Sequence, residues 1–377
     1  MTTYYVDGTN GNDAYDGTSA TFTSGSTGPK RTLTAVEALL AAGDTVYVRS
    51  GVYRETLTCG VSGTNGNPIT YIGDYTGTIW TGGGVVRITG SNDDKTATRA
   101  SCITATSRNY RTFRAFAIEM SSGNLVDLTN CTYFNIEQCY LAKPVVNSTG
   151  GVVSSGAGQG HITISRCFFL LSRGNSAVLF THTSGVDNSA HIVSNCIVLG
   201  MNNNGSAVNF TRVGGGAVNN ITTLGCQVGV TANTLTAGQT TTVNNCVLTY
   251  GATALVASVL GEITEDYNAL IGNQGDRSNV ATGTHSNSWM GAFDSRWFFQ
   301  LVTAAAANQV VTPFDLASYS QLINLAGTSP TTTDLRGTSA IGGTREWGAL
   351  EYDSSLKIQG GGGGAVSISP LRGRLGG

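Results

Sequence analysis

The chain has 377 residues with 51 glycines, only 12% charged side chains and a formal net charge of −2. Its 21 basic and 23 acidic side chains form neither a basic stripe for nucleic acid nor a polybasic membrane anchor, so no nucleic-acid and no membrane partner is expected. No run approaches the ~20 apolar residues that cross a bilayer. A chain of this kind suits one domain that grows along a single axis better than two or three globular domains.

Residues 1–44 are predicted to form an N-terminal cap. The chain starts in a strand-like run without the positive, apolar and small-residue parts of a secretory leader, so synthesis in a cytoplasm is expected. Residues 32–43 carry the one convincing helix pattern, because Thr34 and Glu37 have capping-box spacing and Gly43 suits the C-terminal stop. The apolar residues of this helix share one face, which would cover the element that follows: Leu33, Val36, Leu39 and Leu40.

Three acidic residues of the entry loop could gather a cation: Asp7, Asp13 and Asp16. Aspartate also makes turns in Gly- and Asn-rich loops of this kind, and that structural interpretation is favoured. We therefore predict no metal ion and no cofactor.

A short apolar phrase returns at a nearly fixed interval between residues 45 and 284. The copies are Ile136-x-x-Cys139, Ile164-x-x-Cys167, Val193-x-x-Cys196, Ile221-x-x-Leu224 and Val243-x-x-Cys246, with last positions 28, 29, 28 and 22 residues apart. Each lies in a short β-rich run bounded by turn residues, which predicts the stacked coils of a β-solenoid. Residues 45–270 would hold about 8–10 coils, in a rod about 40–50 Å long.

Cysteine and asparagine recur at related places in these coils. Several of the eight cysteines occupy the apolar slot, so reduced, buried thiols are favoured over disulfides, and no Cys-x-x-Cys pair indicates zinc. The turns are rich in asparagine, which would stack into amide ladders on successive coils: Asn195, Asn219, Asn220, Asn244 and Asn245.

Three N-terminal phrases, at 4–18, 29–36 and 43–55, and a closing phrase at 334–352 have a specific order and spacing. In them the chain resembles the right-handed parallel β-helix proteins of the pectin-lyase-like superfamily, over about residues 3–352. The resemblance implies an all-β, right-handed parallel β-helix with a helical cap. Residues 285–352 would be C-terminal coils or a cap. They contain an aromatic cluster that is interpreted as the core of this cap rather than as an exposed contact patch: Trp289, Phe293, Trp297, Phe298 and Phe299.

The resemblance implies polysaccharide lyases and hydrolases, so their chemistry must be sought in the residues. Hydrolases of the family carry Asn-Thr-Asp, Asp-Asp, Gly-His-Gly and Arg-Ile-Lys phrases, and of these only Asp93-Asp94 occurs, in a polar loop. Lyases need a Ca²⁺ held by carboxylates beside a base, but Asp187 is the only acid between Glu137 and Glu262. No catalytic residue is predicted, and the histidines are interpreted as scattered strand-edge residues: His161, His182, His191 and His285.

Residues 353–377 are predicted to be a Gly-rich linker and an attachment peptide. After the glycine run, the peptide would add to a partner as a β-strand, and its arginines would pair with an acidic surface. The residues predicted to bind the partner are Ala365, Val366, Ser367, Ile368, Arg372 and Arg374.

These observations favour a non-enzymatic structural protein of a virus particle, similar to β-helical bacteriophage virion proteins. It would be a capsid decoration, spike or fibre-like protein, made in the host cytoplasm and located in the virion. Its expected partners are its own copies in a trimer, a capsid or other virion protein, and a host-surface glycan. The alternative is an extracellular polysaccharide lyase or carbohydrate-binding surface protein, whose site lies on an exposed strand face with Tyr110, Tyr133 and Tyr140.

Overall fold

The computed structural model describes residues 1–143, 150–171, 176–182, 191–200, 205–233, 235, 238–249 and 251–289. In these ranges the chain is nearly all β, with 29 strands and one short helix. The strands form three parallel sheets, and almost every coil contributes one strand to each sheet. The predicted right-handed parallel β-helix is confirmed. No helix in the described ranges is long and apolar enough to cross a membrane.

Each sheet is named here by the order in which a coil visits it. Sheet 1 consists of β1 (Thr3–Val6), β2 (Thr45–Val48), β5 (Ile69–Gly73), β8 (Arg111–Arg114), β11 (Phe134–Glu137), β14 (Thr163–Ser165), β17 (His191–Ser194), β20 (Gly216–Asn219), β23 (Thr241–Asn244) and β26 (Ile263–Asp266). Sheet 2 consists of β3 (Gly51–Tyr53), β6 (Val86–Thr89), β9 (Ala117–Glu119), β12 (Tyr140–Lys143), β15 (Phe168–Leu171), β18 (Ile197–Gly200), β21 (Thr222–Leu224), β24 (Val247–Thr249), β27 (Ala269–Ile271) and β29 (Asn287–Trp289). Sheet 3 consists of β4 (Leu57–Cys59), β7 (Ile103–Thr106), β10 (Val126–Thr129), β13 (Val152–Ser155), β16 (Val178–Thr181), β19 (Ser206–Thr211), β22 (Val228–Asn233), β25 (Thr253–Ala257) and β28 (Gly275–Ser278).

The register of sheet 1 confirms most of the repeat and corrects one copy. Val193 of β17 pairs with Val218 of β20, which pairs with Val243 of β23. The fourth phrase is therefore Val218-x-x-Ile221, and the prediction of Ile221-x-x-Leu224 was wrong. Ile221 is fully buried in the core, whereas Leu224 lies in β21 of sheet 2. The coils differ in length, and both phrases begin and end with branched aliphatic side chains. The apolar pattern was therefore assigned three residues too far along the chain.

Asparagine occupies the turn between sheets 1 and 2 on three successive coils. Asn195, Asn220 and Asn245 all have positive φ, between 52° and 57°, a conformation that asparagine adopts more readily than most residues. The Nδ2 of Asn220 donates to the Oδ1 of Asn195 at 3.0 Å. The predicted amide ladder is thus seen between Asn195 and Asn220, whereas Asn219 and Asn244, also predicted to take part, are the last residues of β20 and β23.

The cysteine slot follows this turn and points into the core. All eight cysteines are buried and none forms a disulfide. The Sγ of Cys167 donates to the carbonyl oxygen of Ser165 at 3.2 Å, and that of Cys196 to the carbonyl oxygen of Ser194 at 3.1 Å. Burial raises the pKa of Cys139 and Cys167 well above the ordinary thiol value, so these thiols are kept uncharged.

The N-terminal helix is shorter than predicted and is capped differently. It spans Leu33–Glu37, and the side chain of Thr32 caps it by accepting a hydrogen bond from the backbone N–H of Ala35 at 3.1 Å. Thr34 instead donates its own N–H and hydroxyl to Glu55, so the predicted Thr34–Glu37 capping box was wrong. Of the predicted apolar face, Leu39 is 39% exposed and the others are buried: Leu33, Val36 and Leu40.

Two buried ion pairs interrupt the apolar interior. The guanidinium of Arg111, at an inward position of β8 between the buried Ile69 and Phe134, binds the carboxylate of Glu37 in the helix, which also accepts the hydroxyl of Tyr71 at 2.6 Å. Nearer the C-terminal end of the described coils, Arg277 donates to the carboxylate of Glu265 at 2.7 Å. Their registers place Glu265 beside the buried Val243 and Arg277 beside the buried Leu255. Charge therefore replaces an apolar side chain at single inward positions of β8, β26 and β28.

Candidate functional site

A shallow groove of about 310 Å³ lies against the outer face of sheet 1. It spans several coils, because its lining comes from the turns before β5, β8, β11 and β14 and from the strands β11, β14 and β17. The described lining residues are Asn65, Gly66, Pro68, Tyr110, Tyr133, Asn135, His161, Thr163 and Ile192.

Three rings form a stack along one side of the groove. Tyr110 and Tyr133 lie with ring centroids 4.5 Å apart and planes 4° apart, and Tyr133 and His161 are 4.5 Å and 11° apart. Tyr110 and Tyr133 immediately precede β8 and β11, His161 lies two residues before β14, and all three have a φ of 51–55°, so the same turn recurs on three coils and places the rings in line. Stacked rings cover each other's faces, which leaves their edges, the tyrosine hydroxyls and the outer faces of the end rings for a ligand.

A polar row lies on the outward side of the strands, and two of its members, Asn135 and Thr163, line the groove. Thr112, Asn135 and Thr163 are in register on β8, β11 and β14. The Nδ2 of Asn135 donates to the Oγ1 of Thr112 at 3.3 Å. Hydroxyl and amide groups can both donate and accept hydrogen bonds, so this row suits a ligand rich in hydroxyl groups.

A charged cluster lies further along, at the ends of β8 and β11 and in the turn after β14. The Nε of Arg114 donates to Glu137 at 2.6 Å, and a terminal nitrogen of Arg166 donates to the other carboxylate oxygen of Glu137 at 3.0 Å. Both oxygens of Glu137 are therefore occupied, and the three side chains together carry one net positive charge. None of the described lining residues of the groove carries a carboxylate, and no group of three or more metal-ligating side chains occurs in the described ranges.

The structure brings two of the three sequence-predicted tyrosines together. Tyr110 and Tyr133 belong to the ring stack, but Tyr140 lies on the outer face of sheet 2, where its ring stacks on Phe168 at 5.6 Å. The prediction of one face for all three was therefore wrong for Tyr140. His161 was missed: it is a turn residue of the groove and not an unrelated strand edge. The sequence signal that could have identified it is its spacing. Like Tyr110 before Phe113, His161 lies three residues before an inward apolar residue.

The remaining histidines do not join the groove. His191 is fully buried and stacks on Phe180 at 4.2 Å. His182 is also buried. His285 stacks on Tyr267 at 4.3 Å and its Nδ1 lies 3.0 Å from the carboxylate of Asp266. The described histidines therefore lie in at least three separate places in the fold.

The acidic residues considered at the sequence level are engaged in local structure. Asp7, Asp13 and Asp16 each accept separate backbone N–H groups of the entry loop, which agrees with the favoured structural interpretation. Asp94 is bound by Arg54 and Arg87, whose hydrogen bonds hold its pKa well below the ordinary value, and Asp93 accepts the backbone N–H groups of a turn. The Asp93-Asp94 pair is therefore a polar-loop feature.

Two sequence-level predictions lie outside the described residues. One is the C-terminal aromatic cluster beyond β29: Phe293, Trp297, Phe298 and Phe299. The other is the attachment peptide: Ala365, Val366, Ser367, Ile368, Arg372 and Arg374.

No family model and no curated protein matches the chain. Among solved structures, the pectate lyase Pel9A matches with a TM-score of 0.50 and 16% identity, over 94% of this chain and 97% of its own. The chain shares the fold of pectin-lyase-like β-helix proteins. XylC in complex with xylose matches with a TM-score of 0.53 and 13% identity, over 76% of this chain and 69% of its own. The GH136 lacto-N-biosidase from Eubacterium ramulus has a TM-score of 0.52 and 14% identity, over 74% and 58%.

Proposed function

We propose that the protein binds a glycan along the outer face of sheet 1, in the groove lined by the Tyr110–Tyr133–His161 ring stack. The observation that carries this proposal is the coincidence of the ring stack with the polar side chains of Asn135 and Thr163 in one groove. Aromatic edges beside hydroxyl and amide groups offer both apolar contact and hydrogen bonds, which a sugar ring needs. The three similar solved structures are a pectate lyase, a protein in complex with xylose and a lacto-N-biosidase, so each is connected with carbohydrate. This supports the proposal by analogy of fold.

The groove is suited to a chain rather than to a single sugar. Adjacent strands of a sheet lie about 4.8 Å apart, and the groove presents a similar set of groups on successive coils. An extended glycan lying across the strands would therefore meet a ring edge and a polar side chain at each step. The described groove lining contains no Asp, Glu, Lys or Arg, so hydrogen bonding is the main source of recognition.

Binding without cleavage is the form of this function that the side chains favour. Hydrolysis needs two carboxyl groups at the scissile bond, and the carboxylate beside the groove, Glu137, is held by Arg114 and Arg166. The same geometry gives the groove a positively charged margin.

A pair of matched variants tests the site. Tyr133 is 42% exposed in the groove and Tyr140 is 36% exposed on sheet 2, so the two residues differ in place more than in burial. After a glycan array identifies a ligand for the full chain, Tyr133→Ala should weaken binding about tenfold, the equivalent of about 1.4 kcal/mol, while Tyr140→Ala should leave it unchanged. No binding to any glycan, or an equal loss in both variants, would contradict the proposal. Incubation of the ligand with Ca²⁺ and analysis of its chain length tests cleavage in the same samples.

The virion interpretation, with its trimer and C-terminal attachment peptide, stays a prediction. A glycan-binding β-helix is compatible with it, because a particle protein can carry a groove for a host-surface glycan. Co-purification of the chain with intact particles would support it, and secretion as a free protein would favour the extracellular alternative.

A further inference from the structure

One pentapeptide occurs twice in the chain, in two different environments. Residues 8–12 and 63–67 both read Gly-Thr-Asn-Gly-Asn. The second copy reaches the groove, because Asn65 and Gly66 belong to its lining. An Asn-Gly pair readily loses the asparagine side-chain amide, since glycine has no Cβ to hinder the ring closure that this reaction requires. The two copies share the same neighbours in sequence, so a difference in their reactivity must come from the fold.

The first copy is fixed by the entry loop. The N–H of Gly11 donates to the carbonyl oxygen of Asp7 at 2.8 Å, and its carbonyl oxygen accepts from the Nε of Arg31 at 3.0 Å. The Nδ2 of Asn10 donates to the carboxylate of Asp7 at 3.2 Å. A Cβ placed on Gly11 would lie 2.3 Å from the carbonyl oxygen of Lys30, which leaves no space for the backbone to rearrange. The fold therefore protects Asn10 from ring closure.

The second copy is open to solvent. Asn65 and Gly66 are both exposed, and no atom lies within 4 Å of the place that a Cβ on Gly66 would take. Two backbone hydrogen bonds between Thr64 and Asn67, at 3.0 and 2.9 Å, close the turn around them. In the part of the chain that the structure describes, the N–H of Gly66 has no hydrogen-bond acceptor. The nitrogen of Gly66 can therefore approach the side chain of Asn65.

We propose that Asn65–Gly66 is a deamidation site of the folded chain, which converts an amide of the groove lining into a carboxylate. The nitrogen of Gly66 attacks the Cγ of Asn65, and the new C–N bond closes a succinimide ring. The side-chain nitrogen leaves as ammonia, taking the proton of the Gly66 N–H. Water then opens the ring and leaves aspartate or isoaspartate at position 65. The product is the first carboxylate in a described lining that has none.

Mass spectrometry of the aged, full-length protein tests the chemistry without any ligand. The folded chain is incubated at mildly alkaline pH, and peptide mapping follows the conversion of amide to acid at positions 65 and 10. Electron-transfer fragmentation separates aspartate from isoaspartate. Position 65 should convert while position 10 stays an amide, and in urea both positions should convert at similar rates. Equal rates in the folded chain, no conversion at 65, or a difference that persists in urea would overturn the proposal.

The effect of this modification on recognition rests on the proposed glycan-binding function. Asn65→Asp reproduces one product and removes a hydrogen-bond donor from the groove, since a carboxylate can only accept. Binding of the glycan identified for the full chain should weaken about fivefold, as for the loss of one hydrogen bond.

Asn12→Asp is the matched control for this variant. Asn12 is exposed outside the groove, and an aspartate there keeps the acceptor that its Oδ1 offers to the N–H of Ala14 at 3.0 Å. Its glycan binding should equal that of the unmodified chain. Equal binding by both variants would overturn the role of the modification in recognition. The conversion at position 65 is measured without a ligand, so its failure is distinguishable from a failure of the glycan-binding proposal.

Discussion

The interior of the β-helix differs between its middle and its two ends. In the middle, successive coils stack identical or similar apolar side chains, such as Ile136, Ile164 and Val193, with thiols at the neighbouring slot. Toward the N-terminus Arg111 takes an inward position between Ile69 and Phe134, and toward the C-terminus Glu265 takes the position next to Val243, and each is paired with an opposite charge. The stack can thus repeat without limit in its middle, while the ends need specific partners.

The two pairs act at different depths of the stack. A buried ion pair adds little net stability compared with apolar packing, but leaving one of its charges unpaired is costly. The Glu37–Arg111 pair therefore ties the helical cap to β8 inside the stack. The Glu265–Arg277 pair needs polar partners from the segment that follows β28, and Gly283 and Ser286 provide them.

The largest expected effect is a charge placed in the middle. Cys196→Asp puts a carboxyl group into the thiol stack with no partner. Burial raises a carboxyl pKa by about 3–5 units, and each unit is worth about 1.4 kcal/mol, so the free energy of unfolding at pH 7 should fall by about 4–7 kcal/mol. The loss should shrink as the pH falls and the carboxyl group becomes protonated. Urea denaturation at pH 7 and pH 5 measures both effects.

Cys196→Val is the matched control for the apolar character of the slot. It keeps an apolar side chain of similar size and should cost less than about 1.5 kcal/mol. A Cys196→Asp protein as stable as the valine variant would show that the slot is accessible to water, contrary to its burial.

The second prediction compares the two ends. Arg111→Met leaves the Glu37 carboxylate buried without its partner and should cost about 3–5 kcal/mol. Arg277→Met should cost less, because the side chain of Arg277 is 13% exposed and that of Arg111 is 0% exposed. Thermal unfolding of both variants gives the order. The opposite order would mean that the Glu265–Arg277 pair, and not the Glu37–Arg111 pair, contributes more to the stability of the fold.

How far the sequence predicted this fold depends on whether the signal was local. The inward Ile164 and Val193 were found because the coil repeats a local pattern, and the Asn195 turn because asparagine favours its conformation. The role of Glu37 was not found, since its partner Arg111 is 74 residues away and only the coiling brings them together. Leu224 was misassigned because an apolar slot does not distinguish one aliphatic residue from another.

The candidate site was predicted in part for a similar reason. Tyr110 and Tyr133 were recognised as aromatic residues of one strand face. Tyr140 follows the turn at Gln138, which carries the chain from sheet 1 to sheet 2 and so moves its ring to another face. His161 was missed because the alignment of coils, rather than its residue type, identifies it as the third ring.

A third prediction concerns how the stability of the fold depends on Asp7, at the N-terminal end, as the pH falls. Burial would raise the pKa of Asp7, but the hydrogen bonds from Asn10, Arg49 and Thr9 outweigh it and lower the pKa below the ordinary value. A lowered carboxyl pKa stabilises the fold above about pH 4, and this contribution is lost as the pH falls through the folded-state pKa. Asp7→Asn should therefore cost about 1–3 kcal/mol at pH 7 and make the loss of stability below pH 4 shallower. An unchanged acid profile would place the titrating groups elsewhere.

The smallest effect is expected where the same kind of ion pair lies at the surface. Arg54 and Arg87 bind Asp94 with good geometry, but the Asp94 side chain is 45% exposed, so water can replace either partner when the pair is broken. The double variant Asp93→Asn with Asp94→Asn should therefore leave the melting temperature nearly unchanged, in contrast to Arg111→Met. Because the loop at 91–95 contributes no described residue to the groove, glycan binding should also be unchanged. Loss of binding, or loss of a glycan-cleaving activity, in this variant would mean that the acid pair takes part in function and that the groove on sheet 1 is not the whole site.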